Sequence, residues 1–325
     1  MFFQEHLSRF AARTAAGLVA IAALASCGGG TYQVNTFIPA RIITFGDESN
    51  KLSTAQGLKY SINAISSETG QIDCSLYPLW TQTLAAAYSL VYSNCNTEAV
   101  PSPDAIDYST LDATVDDVAN QVAAFQSGDS FNSNDMVTIW VGTHDLLTDY
   151  NSNGSSGDTA TLTADMSAVG VTLANLVNSI TNTGAKVILL TIPDLGKSPF
   201  GATEQARGDF DRQAMLSDMT TAFNLALRGN IVNDGSKIGL VLVDDFVTNA
   251  VRSPGSYGLI SSPNETAGCL STAVLPKCTD NTLVTIESTS TTASSFLWAD
   301  STHLGPTAHK QIGSTASSRA QSNPF

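Results

Sequence analysis

Four short runs of nearly continuous hydrophobicity recur at wide spacing along the chain. They cover residues 41–45, 136–141, 186–191 and 238–243. A strand with one wet face alternates between apolar and polar residues, whereas a parallel strand covered on both faces stays apolar throughout. The pattern therefore predicts a central parallel β-sheet.

Amphipathic stripes lie between these runs, with apolar residues recurring every three or four positions. One stripe runs from Leu162 to Ile180, and looser ones cover residues 111–125 and 210–227. This spacing places the apolar side chains on one face of a helix. Strands alternating with helices predict βαβ units, and hence a single three-layer α/β/α domain.

The N-terminus has the layout of an export signal. Arg9 and Arg13 precede an uncharged, mostly apolar run over residues 15–25, which falls short of the roughly 20 residues that span a bilayer. Residues 24–27, Leu-Ala-Ser-Cys, resemble a lipobox, in which Cys27 is lipidated. We expect a signal and lipobox over 1–27, a glycine-rich tether over 28–40 and a domain over 41–325. Ordinary secretion with cleavage elsewhere is the alternative.

This layout predicts an exported protein that is lipid-anchored in a bacterial envelope, at the periplasmic face or the outer membrane. Four cysteines remain besides Cys27, and an even number in an exported chain suggests disulfides. We favour Cys74–Cys95 and Cys269–Cys278, because both loops are short and local. No CxxC pair or paired histidine spacing is present, so neither a metal site nor a cofactor is expected.

The formal net charge of −14 narrows the range of partners. A surface this acidic repels phosphate backbones, and no basic stripe offsets it. We therefore expect no nucleic-acid binding. The expected partners are a small-molecule or lipid substrate and, through the anchor, a membrane.

Polar residues follow two of the predicted strands. The first strand ends in Phe-Gly-Asp-Glu-Ser-Asn (45–50), and the second in Val-Gly-Thr-His-Asp (141–145). A third cluster near the C-terminus contains Asp300, His303 and His309. Function in parallel sheets gathers at the carboxyl ends of strands, so we expect the three segments to meet at one edge. We expect Asp47 and Asp145 to bond backbone turns, and His309 to pack on a terminal helix.

These segments resemble the SGNH (GDSL-type) hydrolases over residues 41–317. That family has a Gly-Asp-Ser turn after the first strand, a Gly-x-Asn-Asp turn after a middle strand and a late Asp-x-x-His. The resemblance implies a flavodoxin-like three-layer fold and acyl transfer through a serine, with His303 as general base and Asp300 orienting it. It also implies an oxyanion-hole glycine, for which Gly70 and Gly57 are candidates.

Two family positions are altered. Aligned without gaps, Glu48 stands at the nucleophile position, and His144 replaces the oxyanion-hole asparagine. We favour an interpretation in which Glu48 is an inserted residue absorbed as a bulge. Ser49 is then the nucleophile and His144 an oxyanion donor, and the protein is an ester hydrolase.

Two alternatives stay open. In one, the gapless register holds, Glu48 and His144 form an ion pair, and the protein is an inactive binding or structural lipoprotein. In the other, Glu48 itself is a carboxylate nucleophile. Attack on an ester would then give a high-energy anhydride.

Overall fold

Five parallel strands form the sheet of the computed structural model, which describes residues 37–54, 56–287 and 290–322. The strands are β1 (Arg41–Gly46), β2 (Ala105–Asp107), β3 (Asp135–Trp140), β4 (Lys186–Leu190) and β5 (Ile238–Val241). The predicted parallel sheet is confirmed, and its four longer strands coincide with the apolar runs. The pattern missed β2, which has three residues, two of them only partly buried.

The spatial order of the strands is β2-β1-β3-β4-β5. The chain passes from β1 outward to β2, then returns across β1 to β3 and continues outward in the other direction. The direction of winding therefore reverses between β1 and β3. In open parallel sheets, such a reversal leaves a crevice at the carboxyl ends of the two strands, where ligands bind.

Helices cover the sheet in two groups, as the predicted three-layer fold requires. Eight helices are described: α1 (Trp80–Ala86), α2 (Val115–Gly128), α3 (Thr143–Asn153), α4 (Thr159–Thr181), α5 (Pro199–Gln205), α6 (Arg212–Asn230), α7 (Val243–Arg252) and α8 (Pro306–Ser322). In one group α4 contacts α2, α3 and α6, while α1 packs with α8. The stripes over 111–125, 162–180 and 210–227 correspond to α2, α4 and α6.

Helix α4 is also long and apolar enough to cross a membrane, judged by length and composition alone. Its residues Leu173, Val177 and Ile180 belong to the main hydrophobic core, and it packs along α6. These contacts identify α4 as a core helix of the domain. The predicted signal, Cys27 and the tether up to residue 36 lie outside the described residues.

Both predicted disulfides are confirmed. Cys74 pairs with Cys95 and Cys269 with Cys278, with Cα–Cα distances of 5.8 and 5.9 Å. The second pair belongs to a smaller core that also contains Ile62, Phe296 and Ala299. This small core covers the segment that leads into the Asp300–His303 turn, so the long C-terminal loop is anchored close to the predicted site.

A buried ammonium group holds the loop that follows β1. Lys59 is fully buried, and its Nζ donates to the carbonyls of Cys74 and Tyr77 at 3.1 and 3.0 Å, and to that of Leu76. Burial lowers the pKa of Lys59 to about 8. Because the amine donates to three carbonyls of residues 74–77, it ties residue 59 to the Cys74 disulfide region.

Candidate active site

Three segments meet at the carboxyl ends of β1 and β3, as the sequence predicted. Glu48 begins a short 3-10 turn (Glu48–Asn50) directly after β1, and His144 lies in the first turn of α3, after β3. His303 comes from the turn that precedes α8 and bonds to Glu48 across 255 sequence positions. The crevice at the winding reversal is therefore occupied by one carboxylate and two imidazoles.

Gly46 fixes how β1 ends. Its φ is +136°, and a Cβ at this position would lie 2.1 Å from the carbonyl oxygen of Trp140. Strands β1 and β3 stay in regular register up to the pair Gly46–Trp140. The expected insertion of Glu48 as a bulge is not observed, because the pairing is regular up to Gly46 and Glu48 then begins a 3-10 turn capped by Asp47.

Hydrogen bonds to α1, α2 and β3 hold the turn after β1. The Nδ2 group of Asn50 donates to the Trp140 carbonyl at 2.8 Å, and Asn50 Oδ1 accepts from Trp80 Nε1 at 3.0 Å. Gln121 of α2 bonds both the N–H and the carbonyl of Gly46, at 2.8 and 2.9 Å. These bonds fix the backbone of the turn that carries residue 48.

The Glu48 carboxylate lies at the centre of the cluster. Its Oε1 is 2.6 Å from Nε2 of His144 and 2.8 Å from Nε2 of His303. Its Oε2 accepts the backbone N–H of Asp112 at 2.8 Å. Glu48 is only 3% exposed. Both carboxylate oxygens are therefore satisfied by the protein itself.

Asp300 supports His303 from the opposite side of the ring. The Nδ1 atom of His303 is 2.9 Å from Asp300 Oδ2, and Asp300 Oδ1 also accepts the backbone N–H groups of Thr302 and His303. The predicted Asp-x-x-His pair is therefore formed within one turn. It places Nε2 of His303 toward Glu48.

Ser49 is not brought to this pair. Its backbone N–H donates to Asp47 Oδ1 at 2.9 Å, and its hydroxyl has no hydrogen-bond partner among the described residues. The nitrogen expected to activate Ser49 is bonded to Glu48 instead. The observed arrangement is the gapless register, with the Glu48–His144 pair that this register predicts.

Charge pairing sets the protonation of the cluster. Burial alone raises the pKa of Glu48, but the hydrogen bonds from His144 and His303 outweigh it and hold that pKa well below its usual range. Burial lowers the pKa of His303, yet Asp300 and Glu48 raise it to about 10. The pKa of His144 is raised by Glu48 against burial. At neutral pH an ionised Glu48 thus accepts hydrogen bonds from a protonated His303 and from Nε2 of His144.

The other predicted residues have mostly structural positions. Asp47 and Asp145 accept backbone N–H groups, from Ser49 and Val115, and His309 is buried in α8. Gly70 lies in an exposed turn, and nothing lies within 4 Å of the Cβ it would carry. No described contact joins Gly70 to the Glu48 cluster.

Two features of the site were not predicted from the sequence. Asp112, whose backbone N–H bonds Glu48, belongs to a loop that carries no recognisable motif. The convergence of the ligand atoms of Glu48, His144 and His303 on one point was also missed. Their ligand-type atoms all lie within 4.8 Å of one another, an arrangement suited to a metal ion. The three residues are far apart in the chain, so linear spacing carried no signal.

Two curated proteins are similar to parts of this chain. The chain is 25% identical over 201 residues to a phosphatidylcholine-sterol acyltransferase of Aeromonas hydrophila, covering 59% of this chain and 54% of the relative. It is 28% identical to an uncharacterized protein in the trpE-trpG intergenic region of Pseudomonas putida, covering 43% of this chain and 22% of that protein. The chain thus spans about half, or less, of these relatives.

Among solved structures, the chain is similar to an acetylxylan esterase from Geobacillus stearothermophilus. The TM-score is 0.38 at 12% identity, over 68% of this chain and 86% of that one. The family model of the GDSL-like lipases and acylhydrolases matches residues 42–315, nearly the whole described domain. The protein therefore belongs to the GDSL-like lipase/acylhydrolase family, a family of hydrolases that act on ester bonds.

Proposed function

We propose that this protein is an exported, lipid-anchored ester hydrolase in which water, rather than a serine hydroxyl, attacks the ester. The observation that carries the proposal is the position of Glu48. Its carboxylate fills the nucleophile position and bonds the Nε2 atoms of both His144 and His303. Family membership supports the ester chemistry, and the Glu48 cluster is the basis for proposing that water is the attacking group.

The serine route lacks its base. A serine hydroxyl becomes nucleophilic only when a neighbouring imidazole accepts its proton. With a pKa of about 10, His303 already carries that proton at neutral pH, and its Nε2 points to Glu48 rather than Ser49. Ser49 therefore has no group to activate it.

A covalent glutamyl route is also disfavoured. Attack by Glu48 on an ester carbonyl would form an anhydride, which is higher in energy than the ester. Both oxygens of the carboxylate already accept hydrogen bonds, from two imidazoles and from the Asp112 N–H. A carboxylate this well satisfied is a weak nucleophile.

Direct hydrolysis uses the same groups without a covalent intermediate. The water oxygen bonds to the carbonyl carbon while the ionised Glu48 carboxylate accepts one water proton. The bond from carbon to the alkoxy oxygen then breaks, and Glu48 returns that proton to the leaving alkoxide. His144 occupies the family's oxyanion position and, together with His303, holds the Glu48 carboxylate in place.

Two variants test this proposal by hydrolysis of a short-chain nitrophenyl ester. Ser49→Ala is expected to change kcat/KM by less than about 2-fold. Glu48→Gln keeps the side-chain shape and removes the charge, so kcat/KM should fall at least ~100-fold, the usual contribution of acid–base groups. A loss of activity in Ser49→Ala comparable to that in Glu48→Gln would contradict attack by water.

A second candidate is a non-catalytic ligand-binding lipoprotein on the same fold. It is favoured by the burial of Glu48, which is only 3% exposed and has both oxygens occupied. A well-folded natural protein that hydrolyses no ester, short-chain or lipid, would establish this candidate instead.

The envelope location is proposed from the leader and supported by the disulfides. Disulfides form and persist in oxidising compartments, and the described domain contains two. Cys27→Ser is expected to move the protein from the membrane fraction to the soluble periplasmic fraction, because the anchored residue is lost. Equal membrane association of Cys27→Ser and the natural protein would overturn the anchor.

A further inference from the structure

We propose that Glu48, His144 and His303 together form a binding site for a divalent zinc ion. The inference rests on the proposed attack by water and deepens it, since it concerns what activates that water. Two observations support it: three ligand atoms converge on one point, and a carboxylate bonds the other ring nitrogen of one of the histidines.

The ligand set matches zinc chemistry. Both imidazoles direct Nε2 toward the same carboxylate oxygen, at 2.6 and 2.8 Å, and the three ligand atoms lie within 4.8 Å of one another. Ligand atoms of a tetrahedral zinc ion with bonds of about 2.0–2.1 Å lie roughly 3.3 Å apart. A small withdrawal of the Glu48 carboxylate therefore makes room for the ion.

The second observation is the carboxylate that bonds the far ring nitrogen of His303. Metal-bound histidines usually donate their other ring N–H to a carboxylate, which fixes the tautomer that leaves the ligand nitrogen free. Asp300 does this for His303, at 2.9 Å from Nδ1. Asp112 Oδ1 stands 3.8 Å from Nδ1 of His144, beyond hydrogen-bond distance, so the orienting carboxylate is in place behind His303.

The choice of zinc follows from the ligand types. Imidazole nitrogen suits zinc and its transition-metal neighbours, whereas calcium and magnesium prefer oxygen ligands only. Two histidines and one glutamate leave a fourth position for water, as in catalytic zinc sites. A zinc-bound water has a pKa near ~7, so hydroxide is available at neutral pH to bond to the carbonyl carbon as the alkoxide leaves.

The test is calorimetric titration of ZnCl₂ into the full-length protein after its metal has been removed with a chelator. We expect one zinc ion per chain with a micromolar or tighter Kd. Glu48→Gln and His144→Ala should each weaken binding at least ~100-fold, and Asp300→Asn about 10–100-fold. The exposed Glu98→Gln serves as the matched control and should bind zinc like the natural protein.

Binding and activity together separate the two proposals. Failure of zinc to bind, or binding that survives both Glu48→Gln and His144→Ala in folded proteins, would overturn the zinc site. Hydrolysis that persists undiminished in the chelated protein would refute activation of the water by zinc while leaving attack by water intact. Zinc binding that depends on the ligands, in a protein with no ester hydrolysis, would support the site and refute the proposed function.

Discussion

Glu48→Ser is expected to create a serine nucleophile that a fluorophosphonate labels covalently, whereas the natural protein stays unlabelled. The turn that carries residue 48 is fixed by Gly46, Asn50 and Gln121 rather than by the carboxylate itself. Asp300 and His303 are already paired. Removing the carboxylate releases Nε2 of His303 to accept the proton of the new hydroxyl, which completes the Ser-His-Asp geometry of the family.

The expected gain in labelling rate is at least ~100-fold, the size of an added general base. Intact mass spectrometry and peptide mapping would place the label on residue 48. Glu48→Ser combined with His303→Ala is the matched control and should lose the gain. Labelling of the natural protein at Ser49 would contradict the assignment, as would a folded Glu48→Ser variant that does not react.

The stability added by His303 is expected to vanish as the pH rises from 6 to 10. The pKa of His303 is about 10 in the folded protein, against about 6.5 in an unfolded chain. A pKa raised by folding contributes stability that is complete below the unfolded value and lost as the pH rises through the folded one. The contribution is on the order of 5 kcal/mol.

The measurement is the unfolding free energy of the natural protein minus that of His303→Gln, by urea denaturation at several pH values. The difference should be largest between about pH 4.5 and 6.5, because the lowered pKa of Glu48 makes its contribution fall away below its ordinary value near 4.5. Other groups that titrate in this range, such as Lys59, are common to both proteins and cancel. A difference that stays constant from pH 6 to 10 would contradict a protonated His303 paired with Glu48 and Asp300.

The sequence predicted the sheet well because buried parallel strands leave a strong signal. Residues 136–141 and 186–191 read as strands from hydrophobicity alone, and the structure has β3 and β4 there. Three-residue β2 could not be found in this way, since Ala105, Ile106 and Asp107 show no run. Short α1 was missed for a similar reason: seven residues give too little periodicity to recognise.

The sequence located the residues of the site, but the favoured interpretation placed Ser49 rather than Glu48 opposite His303. The motifs located Glu48, His144, Asp300 and His303, because strand exits and an Asp-x-x-His turn are visible in the sequence. Whether Glu48 or Ser49 faces His303 depends on the fit of Gly46 against Trp140, a long-range contact that no local pattern encodes. The same limitation hid the Asp112 N–H and the shared ligand geometry.

The turn from Asp300 to His303 has an evolutionary consequence. Asp300 binds the ring of His303 and also two backbone N–H groups of its own turn, so this half of the site keeps its shape whatever occupies the opposite strand exit. Substitutions at residues 48 and 144 then exchange one chemistry for another without rebuilding the scaffold. In a catalytic centre built from such separate segments, the residue at the nucleophile position can change in evolution while the Asp-x-x-His turn is kept.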